Sequence, residues 1–521
     1  MFRLAYHWRV LIVAILGYFM VVLDTTIVNI ALPRIMTTFN AGVDRAQLVI
    51  TGYLIALALV IPTTGFLSDR FGTKRVFTVT IAGFTLGSAL CGLSWNINSL
   101  IFFRILQGLA GGMIQPLGMA LIFRAVPRQQ IGFAMGIWGL SVVWAPAIGP
   151  TLGGYLVDYV SWRMIFYINI PVGVLAALLA RQQLQETEKT RTLPFDYKGF
   201  LLAGIGFSTA LIALTYAPRD GWGAANIVAL FAVSATTLAA WVFVELREES
   251  PLLDLRILRN PIFSLVTGIN FVIIIGFYSG LFLLAQFLQN VRQLSAMQTG
   301  LLFVPEVVTI AVFMPLCGRL YDKIGARPLL LAGLAAIGYA TYQLHTLDLS
   351  TSNATLLKVL ILRGMGLGMI AMPVITLALS LVPPAQVARA SALINVLRQL
   401  ILALGLAAVV TLLQTRQEFH FSNLAQTATP DSLAAVQVLS GVEHAAAQHG
   451  VPPAVAEQTA IQVLTSLVQR QAAVMAFDDL FLVLGIMFLL TLVPTLFLRQ
   501  PKREERHHAG ATATSTAETA D

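Results

Sequence analysis

Long apolar runs alternate with short polar connections along nearly the whole chain. Each run has about 20 residues, which is the length that a helix needs to cross roughly 30 Å of hydrocarbon. The pattern predicts fourteen membrane-spanning helices, and the fold class is therefore an all-α membrane protein. The predicted spans are 10–32, 46–67, 76–94, 99–123, 132–157, 164–180, 198–217, 225–244, 263–289, 298–317, 328–346, 355–381, 390–414 and 477–498.

The composition supports the class of membrane proteins, and the absence of several motifs argues against enzymes. Hydrophobic residues make up 57% of the 521 residues and charged residues only 11%, whereas soluble domains carry about 25% charged residues. No G-x-x-x-x-G-K-[ST] phosphate loop, H-E-x-x-H or G-x-S-x-G motif occurs, and no Cys and His residues have metal-ligand spacing. We therefore expect no enzyme activity, no cofactor and no metal, and we expect an ion gradient as the energy source.

Basic residues gather on alternate connections between the predicted spans. An even number of spans puts both termini on one side, and that side carries most of the 33 lysines and arginines. By the positive-inside rule both termini are cytoplasmic, and the chain is expected to lie in the cytoplasmic (inner) membrane. The net charge of +8 thus has a topological cause, so we expect no nucleic-acid partner.

Two pairs of connecting segments repeat along the chain. GFLSDRFGTKR (65–75) matches GRLYDKIGARP (318–328), and VPRQQIGFA (126–134) matches VPPAQVARA (382–390). Equivalent loops at equivalent places indicate two related halves of six spans, with two further spans inserted between them. The predicted organisation is a first bundle at 1–180, linkers and two inserted helices at 181–262, a second bundle at 263–500, and a disordered cytoplasmic tail at 501–521.

Several of these motifs resemble those of a known family. GFLSDRFGTKR resembles the loop signature of the major facilitator superfamily. LDTTIVNIALP (23–33), WAPAIGPTLGG (144–154) and WRMIFYINIPVG (162–173) resemble motifs of its fourteen-span drug:proton antiporter branch, the EmrB/QacA type. The resemblance implies two bundles that rock about a site at the membrane midplane, export of amphipathic or cationic compounds, and coupling to protons.

Two acidic residues lie deep within predicted spans. Asp24 is near the middle of the first span, where a charged side chain costs about 2.5–3.5 kcal/mol. One interpretation is a carboxylate that bonds the hydroxyl of Thr25 or Thr26 and fixes helix contacts; the other is a proton carrier. Glu306 follows Pro305 in the tenth span, and either carries protons or pairs with a buried arginine.

Polar residues form stripes on two predicted spans. Arg104, Gln107, Gly108, Gly111 and Gln115 share one helical face, which is unsuited to lipid. The resemblance assigns Arg104 to proton coupling, while a purely structural role remains the alternative. A second stripe on the thirteenth span faces the same predicted cavity. The candidate substrate-cavity residues are Asn29, Gln107, Gln115, Asn395, Arg398 and Gln399.

Charged turns follow the second and tenth predicted spans. They carry Asp69, Arg70, Lys74 and Arg75 in the first half, and Asp322 and Lys323 in the second. One interpretation is an ordinary basic cytoplasmic loop. The other is a latch, in which each carboxylate bonds a helix end or a basic side chain across the boundary between the halves and releases it in another conformation.

Prolines and glycines recur on one stripe of the fifth predicted span. They are Pro146, Gly149, Pro150, Gly153 and Gly154. Glycine lets helix backbones approach closely, and proline permits bending. The resemblance places this pattern at the interface between the bundles and associates it with exporters, so we expect a gating role.

The segment 415–476 is the largest hydrophilic insert, and the topology places it outside the cytoplasm. A helix is predicted from Asp431 to Gln448, followed by a break at Gly450 to Pro453 and a second, amphipathic helix that leads into the last span. The resemblance implies that a periplasmic adaptor protein docks here and passes substrate to an outer-membrane channel. A cap over the outer vestibule is the alternative.

These patterns together predict a proton-coupled multidrug efflux transporter. Its expected partners are protons, the lipid bilayer and small amphipathic or cationic drug-like compounds. Two alternatives use the same fold: a proton-coupled uptake symporter, and an exporter of one endogenous metabolite, fatty acid or siderophore. The uptake alternative needs the same acidic residues but neither the proline and glycine stripe nor the outer hairpin.

Overall fold

The computed structural model describes residues 4–186, 195–248, 251–427, 432–449 and 451–498, and these parts of the chain are helical throughout. The first helices are α1 Tyr6–Phe39, α2 Val43–Val60, α3 Thr64–Phe71, α4 Thr73–Gly92, α5 Ile97–Gly111, α6 Ile114–Ala125, α7 Ile131–Tyr159, α8 Met164–Tyr167, α9 Asn169–Gln183 and α10 Tyr197–Asp220. They are followed by α11 Ala225–Arg247, α12 Pro261–Gln286, α13 Ala296–Ile324, α14 Ala326–Gln343, α15 Asn353–Ser380, α16 Val387–Thr427, α17 Leu433–Gln448, α18 Pro453–Leu490 and α19 Leu492–Leu496. The predicted tail at 501–521 lies outside the described residues.

Twelve helical segments of the described chain are long and apolar enough to cross a membrane. The protein is therefore a multi-pass membrane protein. Helices α7 and α14 lie where the fifth and eleventh spans were predicted, but they are not among those twelve. The structure thus gives about twelve candidate spans, and the count of fourteen stays a prediction.

The repeated loops each contain a glycine with a positive φ angle at the same position. Gly72 separates α3 from α4 with a φ of 89°, and Gly325 separates α13 from α14 with a φ of 82°. Only glycine adopts such angles without steric cost, which explains why both repeats place a glycine three residues after their aspartate. The two sharp turns bring Asp69 and Asp322 to corresponding places at the ends of their helices.

The two halves pack together at one end of the bundle and separate at the other. We call the end where α1 begins the near end, and the end where α1 finishes the far end. The largest apolar cluster joins both halves and includes Trp138 of the first and Met314 of the second. Far-end apolar residues form two separate clusters, one around Trp162 in the first half and one around Phe477 in the second. Among the described residues, buried apolar side chains thus join the halves at the near end but not at the far end, which is the arrangement expected of a cleft that opens toward the far end.

Helix α7 makes both of these contacts along its length. At the near end, a Cβ on Gly132 would lie 2.5 Å from the carbonyl oxygen of Gly318 on α13. Toward the far end, a Cβ on Gly153 would lie 2.7 Å from the side chain of Ile27 on α1. The helix therefore packs against the second half where the bundle is closed, and against its own half where the cleft is open.

Helices α16 and α18 extend beyond the other helices at the far end. The thirteenth span was predicted at 390–414, and the helix that contains it, α16, continues beyond that range to Thr427. Hydropathy marks where a helix leaves the membrane, and the polar stretch after 414 contains no glycine or proline that would end it. The predicted helix before the break is confirmed as α17, and the second predicted helix is continuous with the last span in α18.

Asp479 of α18 holds the two extended helices together. The carboxylate lies 3.4 Å from the Nε of Arg416 and 2.8 Å from the Nε2 of His420, both on α16. The guanidinium of Arg470 donates to the carbonyl oxygen of Val291 at 2.9 and 2.7 Å, which joins α18 to the end of the α12 segment. The outer hairpin is thus fixed to the second half.

Candidate functional site

Asp24 lies at the centre of a buried polar network in the first half. Its side chain is 0% exposed. Its Oδ2 accepts from Nη1 of Arg104 at 2.6 Å, and its Oδ1 accepts from Nε2 of Gln107 at 3.0 Å and from Nδ2 of Asn169 at 3.2 Å. Three donors from α5 and α9 thus offset the cost of burying the carboxylate of α1.

The predicted hydrogen bonds between Asp24 and the hydroxyls of Thr25 and Thr26 do not form. The hydroxyl of Thr25 donates to the carbonyl oxygen of Val22 at 2.7 Å, and that of Thr26 to the carbonyl oxygen of Leu23 at 2.9 Å. The expected hydroxyl partners are therefore wrong, because a threonine hydroxyl in a helix bonds the backbone carbonyl of the preceding turn. A role of Asp24 in fixing helix contacts stays open. The partner is a guanidinium from another helix.

Arg104 is held in place by more than its ion pair. Its Nε donates to the carbonyl oxygen of Val49 at 3.3 Å, and its Nη1 also donates to Oε1 of Gln107 at 2.8 Å. Its guanidinium carbon lies 3.9 Å from the centroid of the Tyr53 ring, within the range of a cation–π interaction. The arginine is therefore anchored to α2 as well as to α1.

Glu306 and Arg363 form a second buried pair in the other half. Nε of Arg363 lies 3.5 Å from Oε1 of Glu306, and both side chains are almost completely buried. Within the described chain neither carboxylate oxygen of Glu306 has a hydrogen-bond partner. Nη2 of Arg363 donates instead to the carbonyl oxygen of Phe277 at 3.1 Å. The pair brings α13 and α15 together, but it is much less satisfied than the first.

The predicted cavity residues divide into three groups. Gln107 belongs to the Asp24 network. Gln115 and Arg398 meet across the two halves, because Nη2 of Arg398 donates to Oε1 of Gln115 at 3.0 Å. The half-buried Gln399 follows Arg398 on the same helix. Asn29 is exposed on the far part of α1 and donates to the carbonyl oxygen of Thr25, so the structure does not bring it to the others.

Aromatic and polar side chains surround Arg398. Tyr18 interacts with the guanidinium and also lies near Tyr278. The Tyr18 ring stacks on Trp138, with centroids 4.9 Å apart and planes within 5°. On the previous turn of α16, the buried Asn395 donates to the carbonyl oxygen of Ser391 at 2.8 Å. The side chains packed near Arg398 therefore include the buried aromatic rings of Tyr18 and Trp138.

Both predicted latch carboxylates reach across the near end. Oδ2 of Asp69 lies 2.7 Å from Nη2 of Arg389 in the second half. Asp322 accepts from the backbone N–H groups of Gly132 at 2.8 Å and Phe133 at 3.0 Å, at the start of α7 in the first half. In the described chain, no ion pair across the halves involves the other predicted turn residues, Arg70, Lys74, Arg75 and Lys323.

The glycines of the predicted gating stripe pack α7 against α1. A Cβ on Gly149 would lie 2.5 Å from Oγ1 of Thr26, and Gly153 makes a similar approach to Ile27, whereas Gly154 faces open space. The side chains of Pro146 and Pro150 lie outside the described residues. The stripe therefore provides close helix contact within the first half.

Sequence reasoning missed two residues of the Asp24 network and an acidic pair elsewhere. Asn169, the first residue of α9, is an uncharged polar position within the WRMIFYINIPVG motif, and this position was a usable signal. No sequence signal pointed to Tyr53. Glu245 and Asp196 are also buried, at the near end of the inserted helices, where Glu245 accepts from the Trp241 indole at 2.9 Å. Within the described ranges no group of three or more His, Cys, Asp or Glu side chains could hold a metal.

Comparison with known proteins agrees with this architecture. The chain is 33% identical over 502 residues to the "Multidrug resistance protein B homolog" of Mycobacterium tuberculosis (95% of this chain, 90% of that protein). It is 30% identical over 492 residues to the "Fatty acid resistance protein FarB" of Neisseria gonorrhoeae (93% and 94%). The solved structure of the proton:xylose symporter XylE is similar in fold, with a TM-score of 0.57, 14% identity and 94% coverage of both chains. The family model of the Major Facilitator Superfamily matches residues 14–406, so the chain belongs to this superfamily and is a membrane transporter rather than an enzyme.

Proposed function

We propose that the protein is a proton-coupled multidrug efflux transporter of the cytoplasmic membrane, with fourteen spans and both termini in the cytoplasm. The observation that supports this most is the completely buried carboxylate of Asp24, held by Arg104 beside a cleft between two related halves. Ion pairs this deep in a membrane are expensive and generally functional. The names of two relatives, a multidrug and a fatty acid resistance protein, agree with export of amphipathic compounds.

The proposed organisation follows the repeats. Residues 1–180 form the first bundle, 181–262 the linkers and inserted helices, and 263–500 the second bundle with the outer hairpin at 415–476. With the near end in the cytoplasm, the structure corresponds to a state that is closed inward and open outward. The proposal of fourteen spans adds α7 and α14 to the twelve apolar segments.

Protonation of Asp24 is the proposed coupling step. A neutral carboxyl keeps its contacts with the amides of Gln107 and Asn169 but no longer balances the charge of Arg104. Breaking a buried pair in this way is strongly unfavourable, because it leaves one charge uncompensated. The halves then rearrange until the proton leaves or another counter-charge arrives. Glu306 and Arg363 repeat this arrangement in the second half.

The energy for export comes from protons that move inward. Each proton gains about 2.3 kcal/mol per 100 mV of membrane potential, in addition to any pH gradient. Opening of the near end requires release of the Asp69 contact with Arg389 and of the Asp322 contacts with the first turn of α7. These two contacts act as latches, and the α7 glycine stripe lets that helix move against α1.

The outer hairpin is proposed as a docking surface for a periplasmic adaptor protein. Helices α16 and α18 extend past the other helices at the far end, and α17 packs on α18. In this arrangement the transporter is the inner-membrane part of a tripartite pump with an outer-membrane channel. Substrate leaves the cleft beside the hairpin.

Everted vesicles test both coupling and direction. With an acidified lumen, the wild-type protein should accumulate compounds from a panel of dyes, uncouplers and fatty acids, and their addition should release protons from the lumen. Asp24→Asn should abolish both effects, because the amide cannot take up a proton, and Glu306→Gln should impair them. Asp158→Asn is the matched control, since Asp158 is exposed at the end of α7.

Two results would contradict the proposal. Normal proton-coupled accumulation by both Asp24→Asn and Glu306→Gln would remove the assigned carriers. Loss of substrate from the everted vesicles on lumen acidification would indicate uptake rather than export.

A further inference from the structure

Arg398 differs from the other arginines that lie deep within the described spans. Arg104 pairs with Asp24, and Arg363 pairs with Glu306. Arg398 has no carboxylate within salt-bridge distance in the described chain, and its side-chain neighbours Gln115 and Tyr18 are neutral. The two ion pairs cancel, so among the described residues deep in the spans Arg398 is left as an uncompensated positive charge.

Arg398 is also the least buried of these three arginines. The side chains of Arg104 and Arg363 are 1% and 0% exposed, whereas Arg398 is half-buried. It lies about 17 Å along α16 from the near-end start of that helix, which is roughly the middle of the hydrocarbon layer.

The surroundings of Arg398 suit an amphipathic ligand. Gln115 from α6 presents an amide on one side, and Tyr18 from α1 presents a hydroxyl close to the guanidinium. The ring of Tyr18, which is only 5% exposed and stacks on the fully buried Trp138, packs next to the charge. Sites for small molecules typically combine such apolar walls with a few polar groups that fix orientation.

We propose that Arg398 binds the anionic head group of an amphipathic acid, such as a carboxylate or sulfonate carried on an apolar chain. This inference rests on the proposed export function and names the substrate class of that site. A guanidinium pairs with such anions through two parallel hydrogen bonds. An amphipathic cation at the same place finds no free carboxylate, because Asp24 and Glu306 are already paired.

The charge arrangement has a consequence for coupling. A proton on Asp24 adds positive charge near the cleft and therefore does not displace an anion by direct competition. Exchange of protons for an anionic substrate then depends on alternating access of the two sites, with the latches and the buried pairs setting which end is open. Anion binding at the open far end is thus independent of a proton gradient.

Binding of two probes with the same chain and opposite permanent charge tests the proposal. The probes are decyl sulfonate and decyltrimethylammonium, each below its micelle-forming concentration. The full-length protein is placed in nanodiscs of phosphatidylcholine, and binding is measured by isothermal titration. We expect wild type to bind the sulfonate at least tenfold more tightly than the ammonium compound.

Substitutions then assign this preference to one side chain. Arg398→Gln should weaken sulfonate binding at least tenfold and remove the preference for the anion, whereas Arg398→Lys should retain the preference with a smaller loss. Arg247→Gln is the matched control, because it removes an equal charge from the exposed end of α11. Equal or tighter binding of the ammonium probe by wild type overturns the proposal without any variant. Unchanged sulfonate binding by a folded Arg398→Gln protein also overturns it.

Failure of this inference and failure of the proposed function give different results. If sulfonate binds through Arg398 but no compound moves protons in vesicles, the anion site stands and proton coupling falls. If compounds are exported against protons while wild type prefers the ammonium probe, coupling stands and the anion site falls.

Discussion

The two buried ion pairs of the molecule differ in how completely their carboxylates are satisfied. Asp24 accepts hydrogen bonds from three side chains, the shortest at 2.6 Å. Glu306 lies 3.5 Å from Nε of Arg363, and neither of its oxygens has a hydrogen-bond partner in the described chain. The halves are related by repeats, yet the polar centre of the first is fully connected and that of the second is not.

This difference indicates a division of labour between the halves. A fully bonded carboxylate joins α1, α5 and α9 rigidly, and it changes state only if several contacts break together. The carboxylate of Glu306 has no hydrogen bond to lose within the described chain when it becomes neutral, although Arg363 then stays buried without its counter-charge. We therefore expect Glu306 to gain and lose a proton with less rearrangement than Asp24, and we expect the Asp24 pair to contribute more to stability.

Replacement of Arg104 and of Arg363 should give the largest difference between the two halves, measured as a change in the free energy of unfolding. Arg104→Gln leaves Asp24 without its counter-charge and removes the contacts to Val49 and Tyr53, so we expect a loss of about 3–5 kcal/mol in the free energy of unfolding. Arg363→Gln should cost less than half as much. Unfolding in mixed detergent micelles measures both, with Arg247→Gln as the control. An equal or greater loss for Arg363→Gln would break the comparison.

Double-mutant cycles should isolate the interaction free energy between the two members of each pair. The coupling free energy between Asp24 and Arg104, obtained with Asp24→Asn and Arg104→Gln, should be about 1.5–3 kcal/mol. The coupling between Glu306 and Arg363, obtained with the corresponding amide substitutions, should be below about 1 kcal/mol. The same unfolding assay serves both cycles. Similar coupling energies in the two halves would show that the geometric difference has no energetic meaning.

The near-end contacts of Asp322 and Asp69 should differ less in strength than the two buried ion pairs. Here the contact of the second half, made by Asp322, should be the stronger one. Asp322 of the second half accepts two backbone N–H groups, whereas Asp69 makes a partly exposed ion pair worth about 1 kcal/mol or less. Asp322→Asn should speed hydrogen exchange of the Gly132 and Phe133 amides roughly tenfold, which corresponds to about 1.4 kcal/mol. Asp69→Asn should leave those amides nearly unchanged. Mass spectrometry of the peptide at 128–136 gives both rates, and equal rates in the two variants would refute this ranking.

The sequence predicts the helices, the repeats and the individual polar positions well, because hydropathy and charge act along the chain. It does not predict most of the partners, although a buried arginine was one alternative for Glu306 and Arg363 lies there. Arg104 and Asp24 are 80 positions apart, and no spacing rule says which helices lie side by side. The threonine hydroxyls were named as partners of Asp24 for this reason, since only neighbours in sequence can be identified without the fold. The Gln115 contact with Arg398 crosses 283 positions and was equally out of reach.

A membrane span and the helix that contains it can end at different residues. The thirteenth span was predicted to end where the apolar residues stop, whereas α16 continues to Thr427 because polar residues also favour helix. Asp69 and Asp322 contact the opposite half, and their role as latches stays a prediction. The repetition of a carboxylate beside a sharp glycine turn was the local signal that drew attention to them.

Helix α16 is long enough to project from the second half well beyond the hydrocarbon layer. Its 41 residues extend about 60 Å at 1.5 Å per residue, roughly twice the thickness of the hydrocarbon layer. The clamp of Asp479 on Arg416 and His420 keeps this rod stiff where it leaves the bilayer. A tilt of about 10° in the second half therefore displaces the tip of a 20 Å overhang by about 3–4 Å. In the proposed rocking mechanism, a small tilt of the second half would therefore produce a larger displacement at the tip of α16, where the proposed adaptor docks.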